Sequence, residues 1–315
     1  MMFAIQTERK RFTLVTIFEQ VFILFIFVAA GFLLGKCNIV NPGHSKILSS
    51  ILVYVFLPCN IFRTFATNFT LTYVAGNYTM LITAAILVSA LFLASYFGAK
   101  LFAKEKYERN LFEYSLLVPN YGYMGYALAE ALMGETGLMN IMTFALPFSL
   151  YVYTVGFAKL TKRELSVRKL FNSVNIATVL GVTVGLCGIT LPNVVSTVVT
   201  KASSAMAPVS MLLTGIVLAE QPIKRVIGNK KIYPLAAMRL VLIPLAVGFL
   251  LSGFCDSATV QTAVLFLALP CGLNTVVFPK LVDESCEFGA GIALVTTVFV
   301  CVTLPVVLSL FGVGL

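Results

Sequence analysis

Long apolar runs alternate with short polar interruptions along the whole chain. The apolar runs fall at 14–34, 47–66, 73–99, 111–133, 137–158, 174–191, 194–219, 232–252, 259–279 and 288–312. Each is close to the roughly 20 residues that an α-helix needs to cross a hydrocarbon layer of about 30 Å. In lipid, every backbone polar group has to be satisfied internally, so runs of this kind predict helices rather than strands. The pattern predicts an all-α integral membrane protein of ten transmembrane helices seated in a lipid bilayer. The first run follows Arg9, Lys10 and Arg11, as the h-region of a signal peptide would. It is long for an h-region and reaches Lys36 without an A-x-A-type cleavage site, so it reads as the first span.

Composition sharpens this picture. Of the 315 residues, 59% are hydrophobic and 11% are charged, against about 25% charged in soluble domains. Mean hydropathy is +0.96. The net charge of +9 invites comparison with nucleic-acid binders, but the basic residues sit in short loops between apolar runs, where they orient a membrane protein. No nucleic-acid partner is expected. Alternate loops hold Lys36 and Lys46; Lys100, Lys104, Lys106 and Arg109; Lys159, Lys162, Arg163, Arg168 and Lys169; Lys224, Arg225, Lys230 and Lys231; and Lys280. The opposite side holds only Arg9, Lys10, Arg11, Arg63 and Lys201. Assigning the richer set to the inside places both termini outside, with the basic N-terminal segment as the dissenting feature. The sequons at Asn68 and Asn77 would then face outside.

Few residues offer conventional catalytic or metal-binding chemistry. His44 is the single histidine, and the seven cysteines form no C-x-x-C pair. No metal site, cofactor or disulfide framework is predicted, and most of the cysteines read as small packing residues. No nucleophile or acid pair stands out at depth, so no enzyme is predicted.

The most informative feature is an internal repeat. Gly31 and Gly35 match Gly181 and Gly185 at an offset of 150, and Pro58 matches Pro208 at the same offset. Pro119 matches Pro270 at 151, and Glu135-Thr136-Gly137 matches Glu287-Phe288-Gly289 at 152. Each half holds five spans. An odd number makes the second half enter from the opposite face, so the repeat is inverted, as in secondary transporters. The halves are 1–160 and 161–315.

The fourth run reads Val118-Pro119-Asn120-Tyr121-Gly122 and the ninth reads Leu269-Pro270-Cys271-Gly272-Leu273-Asn274-Thr275. Both place Pro, Gly and Asn in mid-span. Proline removes a donor and clashes with the preceding turn, and glycine eases unwinding. Both spans are predicted to break and to cross, which leaves half-helix N-termini as anion receptors. Asn120 and Asn274 are the leading polar candidates, since an amide donates to a carboxylate and accepts from a proton or a metal-bound water. They are predicted to approach the substrate from the two halves, with backbone N–H groups beside Pro119 and Pro270 completing the site. The alternative is that the two amides only satisfy freed backbone groups.

Pro58, Pro147, Pro208, Pro244 and Pro305 read as simple kinks. Asn60 reads as interhelical glue, and Asn175 as either a helix cap or a ligand. Arg239 lies about seven residues, or ~10 Å, into the eighth run. It reads as a side chain that snorkels to the interface, with attraction of substrate anions as the sharper alternative. Glu113 and Glu130 fall near the ends of the fourth run and read as wet, so no carboxylate proton relay can be named.

Several stretches taken together resemble the auxin efflux carrier family, which includes bacterial malate-type permeases and the plant PIN auxin carriers. They are Gly31-Phe-Leu-Leu-Gly-Lys36, Val55-Phe-Leu-Pro-Cys-Asn-Ile-Phe62, Pro119-Asn-Tyr-Gly-Tyr-Met-Gly125, Met133-Gly-Glu-Thr-Gly137, the segment 175–188, Met206-Ala-Pro-Val-Ser210 with Leu213-Thr-Gly215, and Leu269-Pro-Cys-Gly-Leu-Asn274. The resemblance implies a bile-acid symporter/NhaA-like fold with broken helices 4 and 9 crossed. It implies a scaffold from spans 1, 2, 6 and 7, a transport domain from spans 3–5 and 8–10, an elevator motion and a homodimer. The implied activity is secondary transport of small organic anions, malate-type carboxylates or auxin-like acids, across the plasma membrane, with a proton or sodium ion as coupling ion. The implied site lies beside the crossing, at Pro119, Asn120, Tyr121, Gly122, Pro270, Cys271, Gly272, Asn274 and Thr275. The connection over 159–173 is short where plant carriers have a long hydrophilic loop, which favours a bacterial-type member over an auxin carrier. A membrane channel or a receptor for small ligands is the alternative function.

Overall fold

A computed structural model of the chain describes residues 2–40, 44–162, 171–221, 227–280, 282 and 287–313. The loop cations Arg163, Arg168, Lys169, Lys224 and Arg225, together with Cys286, lie outside the described residues. Among those described there is no strand, only helices and their connections. The helices are α1 (Met2–Lys36), α2 (44–68), α3 (Leu71–Phe102), α4 (Lys106–Leu117), α5 (121–133), α6 (135–161), α7 (Ser173–Leu186), α8 (Asn193–Ala219), α9 (Ile232–Ser252), α10 (Ser257–Ala268), α11 (Asn274–Lys280) and α12 (Glu287–Leu310).

Seven of these stretches are long and apolar enough to cross a membrane, where the sequence predicts ten spans. Three local events account for the difference. Residues 121–161 form one apolar stretch, bent at Gly134, whose φ of 66° and ψ of −161° lie in a region only glycine occupies readily. Helix α7 stops at Leu186 instead of 191, because Gly188 adopts φ 62° and the Gly188 and Ile189 amides close back onto Gly185 and Val184. That is a glycine C-terminal cap. The ninth predicted span divides into α10 and α11 on either side of Pro270.

Prolines leave a consistent mark elsewhere. Widened π-type turns at Leu52–Phe56 and Met238–Leu242 sit just before Pro58 and Pro244. A proline cannot donate to the carbonyl four residues back and crowds it, so the preceding turn opens.

Helix packing is closest where glycines remove side chains. A Cβ on Gly31 of α1 would overlap the carbonyl of Leu212 in α8, and one on Gly215 would overlap that of Val28. At a second contact, Cβ atoms on Gly181 and Gly185 of α7 would fall 2.9 and 2.5 Å from the carbonyl oxygens of Phe62 and Phe65 in α2. Small residues four apart allow such backbone contact, the usual route to tight association in lipid. Helix α2 also packs on α8. The remaining helices gather around α12 and α10, where Phe266 stacks on Tyr121, meets Phe144 edge-on and tilts against Phe148, with ring centroids 5.3, 5.2 and 4.6 Å away.

Candidate functional site

Two prolines create the centre of the molecule. The residue before a proline is forced out of helical geometry. Val118 accordingly sits at φ −105°, ψ 110° and ends α4, and Leu269 at φ −65°, ψ 154° ends α10. The two extended breaks cross and pair as a short antiparallel bridge at Pro119 and Cys271. The Asn120 amide donates to the Pro270 carbonyl at 2.8 Å, and the Gly272 amide to the Val118 carbonyl at 3.2 Å. Gly272 lets the strands approach, since a Cβ there would lie 3.3 Å from the Pro119 carbonyl oxygen. Helix α12 supplies a third support, with Thr296 Oγ1 accepting from the Cys271 amide at 3.1 Å. These bonds correct one expectation. The N–H groups beside the two prolines hold the crossing together and are spent. The amides left over by position are those of Tyr121, Gly122 and Tyr123 in the first turn of α5, which have no intrahelical acceptor.

A cavity of 630 Å³ opens beside the crossing. Of the nine residues singled out from the sequence, Pro119, Asn120, Tyr121, Gly122, Gly272 and Asn274 line it, whereas Pro270, Cys271 and Thr275 do not. Cys271 and Thr275 lie buried behind the wall, where Thr275 Oγ1 donates to the carbonyl of Gly272 at 3.0 Å. The two asparagines share the cavity but differ in state. Asn120 is 2% exposed and its Oδ1 has no hydrogen-bond partner. Asn274 opens α11 and donates from Nδ2 to the Tyr114 hydroxyl at 3.1 Å.

The opposite wall comes from helices that the sequence pattern leaves out of the site. Ser45, Lys46, Ser49 and Ser50 of α2, Asn172 and Ser173 at the start of α7, and Glu220 after α8 supply its polar groups. On the wall of the crossing itself, Tyr126 of α5 and Tyr153 of α6 add large apolar faces with hydroxyl tips. A signal for α2 existed: Ser45 and Ser49 recur at helical i, i+4 spacing, with Lys46 and Ser50 one residue on at the same spacing, at the start of an apolar run.

Other candidates fall into place. Asn60 is buried outside the cavity and accepts from Ser203 Oγ of α8 at 2.6 Å, so it joins two helices as expected. Asn172, not Asn175, caps α7, accepting from the Asn175 amide at 2.9 Å. Glu130 is exposed, but Glu113 is 3% exposed and pairs with Lys159 Nζ at 2.6 Å while accepting from the Tyr151 hydroxyl at 3.1 Å. Closeness to the end of the run suggests a wet Glu113, and tertiary cover from α6 overrides it. Arg239 is likewise fully buried and does not snorkel. Its Nη1 donates to the Leu116 carbonyl at 2.8 Å, capping the end of α4 at the crossing. Of the cysteines, Cys37 and Cys187 are exposed instead of packed.

Comparison with known proteins gives the same direction. A family model described as "Membrane transport protein" matches residues 16–169 and 160–308. A Rhizobium meliloti (strain 1021) protein named "Putative malonate transporter" is 26% identical over 298 residues, 87% of this chain and 89% of that one. A Methanocaldococcus jannaschii protein, an uncharacterized transporter by name, is 24% identical over 296 residues, 89% of this chain and 94% of its own.

Proposed function

Because the chain belongs to the membrane transport protein family, the auxin efflux carriers, we propose that it is a secondary carrier of small organic anions, with dicarboxylates of the malonate and malate type as its substrates. The observation that carries this reading is the cavity at the crossing, which both asparagines and the first turn of α5 line. Dipoles and amides at the crossing receive a carboxylate, with the charged groups of the cavity, Lys46 and Glu220, on the wall of α2, α7 and α8, so the anion binds and is also released. The name of the Rhizobium meliloti relative supports the substrate class.

The architecture proposed is ten spans in two inverted five-helix repeats, 1–160 and 161–315, with α4–α5 and α10–α11 as the fourth and ninth. Helix contacts support it. Gly31 meets Leu212 and Gly181 meets Phe62, so the contact recurs with both partners shifted by 150 and their order exchanged. That exchange is what a two-fold axis in the membrane plane produces. The cavity walls support a division of labour. One wall comes from α2, α7 and α8, the other from α5, α6 and α11. Sliding of the second group against the first, with the anion held between, is the alternating-access motion proposed, in an elevator-like homodimer of the plasma membrane coupled to a proton or sodium ion.

Purified protein in proteoliposomes tests the substrate. Labelled malonate and malate should accumulate when a proton or sodium gradient is imposed, and labelled neutral diols should not. Failure of every mono- and dicarboxylate to accumulate under either gradient would contradict the reading. Orientation is tested separately. The Lys and Arg asymmetry expects a cysteine introduced at Lys230 to react with an impermeant thiol reagent only after the cytoplasmic side is exposed; labelling in intact cells would reverse the topology.

A further inference from the structure

Arg239 is the bulkiest fully buried side chain among the described residues, at 0% exposure. It stands on the widened turn that precedes Pro244 in α9. Phe112 and Leu116 of α4, Ile292 and Val295 of α12, and Ile232 and Leu235 of α9 form an apolar cluster there, with Met238 packed against it. Taking a guanidinium out of water into such surroundings is expensive unless another charge or dipole offsets it. Among the described residues no carboxylate lies within ion-pair distance of Arg239. Nη1 is satisfied by the Leu116 carbonyl, while Nε and Nη2 have no hydrogen-bond partner. The C-terminal end of α4 offers the equivalent of about half a negative charge. A full cation is therefore only partly compensated, bonded to Leu116 three residues before Pro119, which in turn pairs with Cys271. Pro119, Asn120 and Gly272 on the far face of that crossing line the cavity.

Lys46 also lines the cavity but is exposed. Water and salt screen its field within about 10 Å, whereas little screens a charge enclosed by apolar side chains.

We propose that Arg239 is a positioning residue for charge: acting through the crossing and without touching the substrate, it is the fixed counter-charge that makes the cavity prefer dianions to monoanions. This rests on the carrier reading above and names what sets its selectivity.

The test compares the parent with R239M, R239K and K46M in proteoliposomes, each also checked by thermal unfolding. The readout is the ratio of apparent affinities for malonate and propionate at a pH where malonate is doubly ionised. The parent should favour malonate. R239M should lose about tenfold of that preference, the size expected for one poorly screened charge, R239K should keep most of it, and K46M, which removes a charge from the cavity wall, should weaken both anions while keeping most of the preference. A purely structural cap would change folded yield and unfolding temperature but leave the ratio alone. A folded R239M with the parent's ratio overturns the inference, as does an R239K that behaves like R239M. If R239M does not fold, K46M decides: loss of the preference there assigns it to Lys46 and overturns the inference, while retention supports it. A parent that takes up no carboxylate sinks the carrier reading as well; a parent that takes up both anions while R239M selects as before sinks this inference alone.

Discussion

Gly215→Leu is expected to leave almost no folded protein, and Gly185→Leu to do nearly as much damage at the α2–α7 contact. In the parent a Cβ at 215 already meets the Val28 carbonyl and the Phe32 amide of α1. A Cβ at 185 meets the Phe65 carbonyl of α2 and the carbonyl of Phe69 just after it, at 2.5 and 2.8 Å. These obstacles are backbone, so no rotamer change relieves them, and each helix pair has to separate. Overpacking against movable side chains costs about 1–3 kcal/mol, and a clash with backbone belongs at or beyond the upper end of that range. Gly76 is the control, since a Cβ added there would meet nothing within 4 Å: Gly76→Leu should unfold near the parent's temperature. Thermal unfolding of the purified variants in detergent measures the order. Parent-like melting of both Gly215→Leu and Gly185→Leu would mean that the tight α1–α8 and α2–α7 contacts do not hold the fold.

The matched pair also shows what sequence could and could not reveal. The offset of 150 between Gly31 and Gly181 is visible in the chain, and so is the break that Pro119 and Pro270 impose, because both follow from local rules about glycine and proline. The eighth run, 232–252, coincides with α9, since its polar flanks and an interior apolar but for Arg239 leave no ambiguity. Arg239 and Glu113 mislead for one shared reason: depth along a helix is a poor proxy for exposure, because burial depends on which neighbour covers the residue. The fate of the amides beside the prolines could not be read either. Whether the Asn120 N–H faces a ligand or the Pro270 carbonyl depends on how two segments 150 residues apart meet. Asn120 and Asn274 also turn out not to be equivalent, standing one and four residues after their prolines.

That difference shapes the second prediction. Asn120→Ala is expected to weaken substrate binding by about 10- to 150-fold, the equivalent of roughly 1.5–3 kcal/mol for one hydrogen bond to a charged group. Asn120 lines the cavity and its buried Oδ1 has no hydrogen-bond partner, and an amide can turn its donors toward a carboxylate. Its removal should leave unfolding little changed, because its backbone amide, not its side chain, ties the crossing to Pro270. Asn274→Ala should also weaken binding, but it additionally frees the Tyr114 hydroxyl, so part of its effect should appear as lost stability. Asn60→Ala breaks the bond to Ser203 away from the cavity and should lower stability while sparing affinity. Affinity measured on folded fractions of all three separates these cases. Parent-like binding by Asn120→Ala with a loss in Asn60→Ala would place the site elsewhere.

The central claim is that the chain carries anions by exposing the crossing cavity alternately to the two sides of the membrane, and counterflow tests it most directly. Proteoliposomes loaded with unlabelled malonate are diluted into a trace of labelled malonate with no ion gradient. A carrier predicts a transient overshoot of label inside, saturable in external substrate and lost in Asn120→Ala. Label that merely equilibrates, without overshoot and without saturation, would contradict the account and identify the pathway as a channel.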